Sequence, residues 1–302
     1  MKNYFLLPVI AGTAMLAASC SGGSPDEPAP LPPTPDGPKM EIKISPSVNS
    51  ARATDYGFET GDCAGLFVVN YNGTTPGTLA ATGNHVDNMR FRYSGTWTPD
   101  SPVYWKDNET HADFYLYYPY ADVRSVTAYP FAVAVDQSAE AAYKASDLMV
   151  GRTLNVAPTT SATTIAVSHV MSRIVIGLEA GNGFTKESLA AADVAVRING
   201  VKCGSTVNIA TGAVTATGNA ETVTPLFTDG AYKALIVPQS VTGGNLITVT
   251  VDGRDFNLKK DFAFESTRSH KFTVSLSKTS NGVNVNINPW TDDGTDNGGT
   301  AE

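Results

Sequence analysis

From Met40 onward, apolar and polar residues alternate in short runs bounded by Gly, Asn, Asp and Pro. Met40, Ile42 and Ile44 are separated by Glu41 and Lys43, and Met89, Phe91 and Tyr93 by Arg90 and Arg92. The same step recurs at Phe131, Val133 and Val135; at Ile174, Ile176 and Leu178; at Val194, Val196 and Ile198; at Phe272, Val274 and Leu276; and at Val283, Val285 and Ile287. A two-residue period puts the apolar side chains on one face of a strand, as a half-buried antiparallel sheet requires. Residues 209–214 predict two short strands joined by a tight turn in which Gly212 supplies the positive φ. Helix signals are confined to 138–144 (SAEAAYK) and 185–192 (TKESLAAA), the second opening on Thr185 with Ser188 three residues on. The predicted fold class is all-β, two β-sandwich domains in tandem. A Thr/Ser/Pro-rich stretch at 157–164 sets the division near residue 165. The expected domains are therefore 40–165 and 166–290, followed by a flexible polar tail at 291–302 that makes a poor strand. No repeat period points to a solenoid or propeller.

The chain ahead of Met40 has a different composition. Residues 1–20 carry Lys2, an apolar stretch from Phe5 to Ala18 and then small residues up to Cys20, the pattern of an export signal too short to span a membrane. Leu16-Ala17-Ala18-Ser19-Cys20 resembles a bacterial lipobox, in which the cysteine is diacylated and becomes the new N-terminus, so Cys20 is the expected lipidation site. Residues 21–39 hold seven of the eighteen prolines and read as an extended tether. Asp26 and Glu27 resemble the acidic patch that directs some lipoproteins outward, so the expected location is the outer membrane, facing the cell exterior.

Overall charge narrows the partners. Only 17 % of the 302 residues are charged, the formal net charge is -8 and 42 % are hydrophobic. That balance excludes both a disordered polyanion and a basic nucleic-acid binder. Three cysteines exclude a disulfide-dense scaffold, and Cys63 and Cys203, which fall in different expected domains, read as small buried hydrophobes although export permits a disulfide.

Chemistry-bearing patterns are sparse. His85, His111, His169 and His270 are too far apart in sequence for a recognised ligand spacing, so no metal or cofactor is indicated. No GxSxG occurs, Asp292 and Asp293 lie in the glycine-rich tail, and Gly243 and Gly244 form a turn with no helix after it, so nothing points to an enzyme. Phe91, Tyr93, Trp97, Tyr104, Trp105, Phe114, Tyr115, Tyr117, Tyr118 and Tyr120 form an aromatic-rich stretch. Rings of this kind stack on sugars or fill a sandwich interior, and Phe114 to Tyr118 alternates as core does.

Several motifs in order resemble the fimbrillin family, the type V pilus subunits that include the Mfa-like proteins. They are Arg52-Ala53-Thr54 ahead of Gly61-Asp62-Cys63-Ala64-Gly65-Leu66-Phe67; Val103-Tyr104-Trp105 ahead of Asp113-Phe114-Tyr115-Leu116-Tyr117-Tyr118-Pro119-Tyr120; and Ser168-His169-Val170-Met171-Ser172-Arg173-Ile174. Asn208-Ile209-Ala210-Thr211-Gly212-Ala213-Val214, Ile236-Val237-Pro238-Gln239 and Val285-Asn286-Ile287-Asn288-Pro289-Trp290 follow. Cys63 and Ala64 depart from the Lys- and Ile-like residues of the family pattern. The resemblance implies two transthyretin-like sandwiches, export as a lipoprotein, and cleavage by a trypsin-like protease after an arginine, here Arg52, leaving Ala53 as the new N-terminus. It further implies loss of the strand around Met40, Ile42 and Ile44, whose place a neighbouring subunit's extended segment takes, head to tail. The expected donor is Val283, Val285 and Ile287, unless these form the last strand of their own domain. The implied partners are other pilus subunits, a lipid anchor before processing, and a host or bacterial surface ligand. The alternative is a surface lipoprotein that binds glycans and does not polymerise.

Overall fold

The structure is a computed structural model that describes residues 39–48 and 57–278, together with the backbone of the strand Gly299–Ala301. The expected signal peptide with Cys20, the linker up to residue 38, Arg52 and Ala53, and Val283, Val285 and Ile287 lie outside the described residues.

The first strands are β1 (Ile44–Val48), β2 (Cys63–Asn70), β3 (Val86–Tyr93), β4 (Trp97–Pro99), β5 (Ala112–Tyr118), β6 (Tyr129–Ala132), β7 (Met149–Val156) and β8 (Thr163–His169). All but β6 join one seven-stranded sheet in the order β1-β8-β7-β5-β2-β3-β4. Its central strands read almost without polar interruption, CAGLFVVN in β2 and ADFYLYY in β5, because both of their faces are covered. On one face Leu66, Val68, Phe91, Phe114, Leu116, Ile165 and Val167 meet Ile42, Ile44 and Trp105. On the other, Phe67, Val69, Tyr115 and Tyr117 join the larger core of the molecule. Gly65 is required here by space: a Cβ on it would come within 2.2 Å of the Tyr117 ring.

The remaining strands are β9 (Ser172–Ala180), β10 (Val194–Val207), β11 (Val214–Val223), β12 (Leu226–Thr228), β13 (Ala231–Ile236), β14 (Gln239–Val241), β15 (Asn245–Val251), β16 (Arg254–Lys259), β17 (Phe262–Phe264), β18 (Ser269–Leu276) and β19 (Gly299–Ala301). One five-stranded sheet runs β11-β10-β15-β16 with β6 also on β10, another runs β12-β13-β9-β18-β19, and β14 pairs with β17. Val196, Ile198, Val249 and Phe256 of the first and Ile174, Ile176, Ile236, Phe272 and Val274 of the second share one core, to which Phe67 and Tyr117 also belong.

Pairing therefore crosses the expected division near residue 165. Tyr129–Ala132 lies before that point in sequence yet pairs with Gly204–Val207 after it. Alternation marks which face of a strand is buried but carries no information about its neighbour.

Both short helices form, α1 (Glu140–Ala145) and α2 (Lys186–Ala190), and Thr185 and Ser188 make a reciprocal capping box at the start of α2. The turn at Gly212 is longer than expected. Asn208 N–H donates to Ala213 C=O at 2.9 Å, Gly212 has φ 74°, and Ile209 lies in the turn with its side chain buried, not in a strand. Val135, expected to close an apolar run, is 41 % exposed because β6 ends at Ala132. At the chain's end, Gly299–Ala301 pairs in parallel with Val274–Leu276. This corrects the expectation that the polar tail makes a poor strand, since a ladder needs backbone groups and not apolar side chains. No helix among the described residues is long and apolar enough to cross a membrane.

Candidate functional site

The segment 40–48 is held by two different partners in succession. Trp105 N–H donates to Met40 C=O and Ile42 N–H donates to Val103 C=O, both at 2.9 Å, with Glu41 bridging Tyr104 in antiparallel sense. Thr163 N–H then donates to Lys43 C=O at 2.8 Å, and β1 continues in parallel along Thr163–Val167 of β8. The hydrogen-bonded strand thus starts at Ile44, where the sequence pattern of Met40, Ile42 and Ile44 ends. Its outward residues Glu41, Lys43, Ser45 and Ser47 are exposed. Ile42 and Ile44, 1 % and 5 % exposed, fill the first sheet's core, with Met40 and Val48 packed at its margin. Burial of this kind contributes about 1.5–3 kcal/mol per side chain.

Backbone direction explains Pro46. Because Lys43 directs its carbonyl to β8, the backbone groups of the odd-numbered residues point to β8 and the Pro46 nitrogen points away from it, where a missing N–H costs no ladder bond and blocks a further strand. By the same parity the amides of Thr163, Ile165 and Val167 face β1, while β7 pairs with β8 at Val167, Ser168 and His169, Ser168 lying opposite Val150. Thr163 also carries a strain: its Oγ1 is buried opposite Ile44 with no hydrogen-bond partner, which costs about 1–3 kcal/mol. Removing 40–48 would leave a row of unpaired backbone groups beside an apolar slot. Arg52 stands four residues beyond Val48 in sequence, so a cut there would put all of β1 on the released piece.

The other candidate residues divide. Trp105 is 4 % exposed and donates its indole N–H to Thr159 C=O at 3.2 Å, so its face is closed to a sugar. Phe91, Phe114, Tyr115, Tyr117 and Tyr118 are core as well, and only Tyr104, at 40 %, is freely exposed. Trp97 is half-buried in a group with Phe58, edge-on at 4.9 Å, and Tyr93 at 5.3 Å. Cys203 is buried but Cys63 is half-exposed, and both are free thiols. Burial pushes the Cys203 thiol up to about 11. Each histidine contacts a protein atom, His169 on Asp147 Oδ1 and His111 on Asn155 Oδ1 at 2.7 Å, His85 on the Tyr104 carbonyl, and His270 on the Glu265 N–H. Among the described residues no group of His, Cys, Asp and Glu could hold a metal ion.

The motif residues turn out to hold strands together. Asp62 accepts from the Glu59 N–H at 2.8 Å and from the Tyr118 hydroxyl at 3.1 Å, and burial, with Asp62 beside it, raises the Tyr118 pKa. Gln239 accepts from Lys202 N–H and donates to Lys202 C=O, each at 2.8 Å, clamping β14 to β10. Gln137, which no pattern singled out, makes the equivalent clamp on Leu235 from a fully buried position.

Over residues 51–290 the chain matches the family described as fimbrillin-like. The chain belongs to the fimbrillin-like family. The matched span of this fimbrillin-like chain excludes 40–48 and runs through Val283, Val285 and Ile287 to Trp290. A Bacteroides uniformis protein named “Putative fimbrium subunit Fim1C” is 26 % identical over 310 residues, covering 96 % of each chain. Crystal structures of two cell adhesion proteins, so titled with the same qualifier, share the fold. The one from Bacteroides uniformis has TM-score 0.60 at 19 % identity over 87 % of this chain and 97 % of that one. The one from Bacteroides ovatus has TM-score 0.61 at 16 % identity over 76 % and 90 %.

Proposed function

We propose that this fimbrillin-like chain is a structural or adhesive subunit of a type V pilus. On this reading it is exported as a lipoprotein acylated at Cys20, reaches the outer face of the outer membrane, and is cut after Arg52 by a trypsin-like protease. The released piece carries residues 40–48 with it. A neighbouring subunit's extended segment then refills the slot between β8 and Val103-Tyr104-Trp105, backbone bonds supplying affinity and alternate side chains filling the pockets. Such a contact joins different surfaces, so it propagates into a filament. Mature subunits retain two sandwich-like halves of the transthyretin kind, the first open until refilled.

The single observation that carries this reading is the position of Ile42 and Ile44: they complete a core from a sheet edge that lies just before an arginine in sequence. The family and the names of its relatives support the pilus or adhesion role. In the test, lipid-free protein is treated with trypsin, its new N-terminus is sequenced, and its oligomers are resolved on a native gel. The expected result is Ala53 as the N-terminus and a ladder of oligomers, with both absent in Arg52→Ala. A cut at Arg52 that leaves a stable monomer would instead favour the glycan-binding lipoprotein, whose remaining aromatic candidates include exposed Tyr104 and half-buried Trp97.

A further inference from the structure

The sheet edges are not equally guarded. Among the described residues, β1 and β6 carry Pro46 and Pro130, β16 carries Arg254, Asp255 and Lys259, and β4, β12, β14, β17 and β19 have three residues each. Proline, charge and shortness are the ordinary means of keeping an exposed edge from pairing. β11 has none of them. It is the longest edge strand among the described residues, Val214–Val223, without proline and with Glu221 as its one charge. The wider stretch 203–228 holds no other charged residue. Thr217 to Thr222 are exposed one after another, so both faces of the strand stand clear of the body there.

Backbone direction sets what this edge presents. Asn208 N–H donates to Ala213 C=O, so Ala213 faces β10, and by alternation Val214 and Ala216 direct their N–H and C=O outward. At the other end Thr224 faces outward, donating to Val135 C=O at 2.9 Å and accepting from Gln137 N–H at 2.8 Å. Counting back from Thr224 makes Thr222 and Ala220 outward as well, in agreement with the first count. Segment 135–137 closes the edge at Thr224, which leaves 214–222 free. The midpoint of that free edge is Gly218, with φ 81° and open space where a Cβ would stand.

We infer that the β11 edge is a contact surface for a second copy of this chain, whose own β11 pairs with it antiparallel about a two-fold axis at Gly218. In this register the whole free edge is paired. Outward residue meets outward residue, Val214 with Thr222 and Ala216 with Ala220, and the two left-handed glycines face each other with no side chain between them. Thr215 lies opposite Glu221, so the edge's one charge does not meet its like. Charge also selects the occupant: a net charge of -8 repels copies of the chain, so a contact between copies requires a neutral stretch, and 203–228 supplies one. One paired edge is smaller than a standard interface, so the contact is weak and reversible alone and gains strength where copies are arrayed in a row. The inference does not rest on strand exchange, since the slot of 40–48 stays filled.

The first probe is the uncleaved chain from Ser21 with Cys63→Ser and Cys203→Ala, made as two variants, Thr215→Cys and Glu221→Cys. In the register centred on Gly218 these positions form a non-hydrogen-bonded pair, whose Cα separation of about 4.5 Å suits a disulfide. Oxidised together, the two variants are expected to give at least about tenfold more covalent dimer than either oxidised alone, as disulfide geometry requires. The second probe is charge at exposed Thr215, read by sedimentation velocity over a concentration series. Thr215→Lys, opposite the copy's Glu221, should tighten the dimer roughly threefold or more, and Thr215→Glu should loosen it as much. More covalent dimer from either cysteine variant alone overturns the register. Equal yields from all three oxidations, or identical association of Thr215→Lys and Thr215→Glu, overturn the contact, as does a chain that sediments as a monomer up to its solubility limit.

Discussion

Thr163 opens β8, beside the edge strand β1 of the first sheet and opposite Ile44, its hydroxyl buried without a partner. Thr163→Val keeps the shape and removes the orphaned group, so the uncleaved protein should gain about 1 kcal/mol in urea unfolding. A loss of stability would mean that the hydroxyl is satisfied. Cys203 gives a second test at this scale. Its thiol, raised to about 11, holds the thiolate at about one part in a thousand at pH 8. Cys203 should therefore resist iodoacetamide until the protein is unfolded, while half-exposed Cys63 reacts in the folded state, as peptide mass mapping will show. Thr163 does not announce itself in the sequence, and the expectation that both cysteines are buried holds for Cys203 but not for Cys63. One threonine among many on alternating strands acquires its strain only from the partner strand, and a cysteine's burial depends on which sheet covers it.

Strands are the level at which the sequence is most legible. Ile174 and Ile176, Val196 and Ile198, and Phe272, Val274 and Leu276 are buried as their spacing predicts, because each side chain's face follows from parity alone. Thr185 and Ser188 mark the start of α2 for an equally local reason, since both partners of the capping box lie within one turn. In the segment 40–48 the alternation marked Ile42 and Ile44 as inward-facing, but the strand itself, running from Ile44 through Pro46 to Val48, was not legible, because proline ordinarily ends a strand and is tolerated only on the outer edge. Ile42→Ala should destabilise the uncleaved protein by about 2–5 kcal/mol, the usual cost of such a cavity. Assembled filaments should melt at an unchanged temperature, because on the strand-exchange account residue 42 is no longer in them. An equal drop in both forms would show that the strand stays in place.

At the scale of the whole molecule, the two halves share more than the alternation could reveal. β6 reaches from the first half of the chain to pair with β10, and Phe67 and Tyr117 lie in the same core as Ile176 and Phe272. Which sheets meet is decided by residues remote in sequence, so composition placed the division near 165 while pairing crosses it. The aromatic stretch resolves in the same way: the rings of Trp105 and Phe114 pack at a tilt of 59° with centroids 5.4 Å apart inside the core, leaving little of it for a ligand. What this molecule offers a partner is an edge. On the proposed strand exchange, the first core, closed here by the chain's own segment 40–48, is opened by one cut and closed again by a neighbouring subunit.

The most direct test is amide hydrogen exchange along β8 in three states: the uncleaved chain, the protein beginning at Ala53, and the assembled filament. The account predicts that the amides of Thr163, Ile165 and Val167, which face β1, are protected in the first, exchange rapidly in the second and are protected again in the third, while Ser168, paired with Val150 of β7, stays protected throughout. Protection at Thr163, Ile165 and Val167 that persists unchanged in the protein beginning at Ala53 would contradict it.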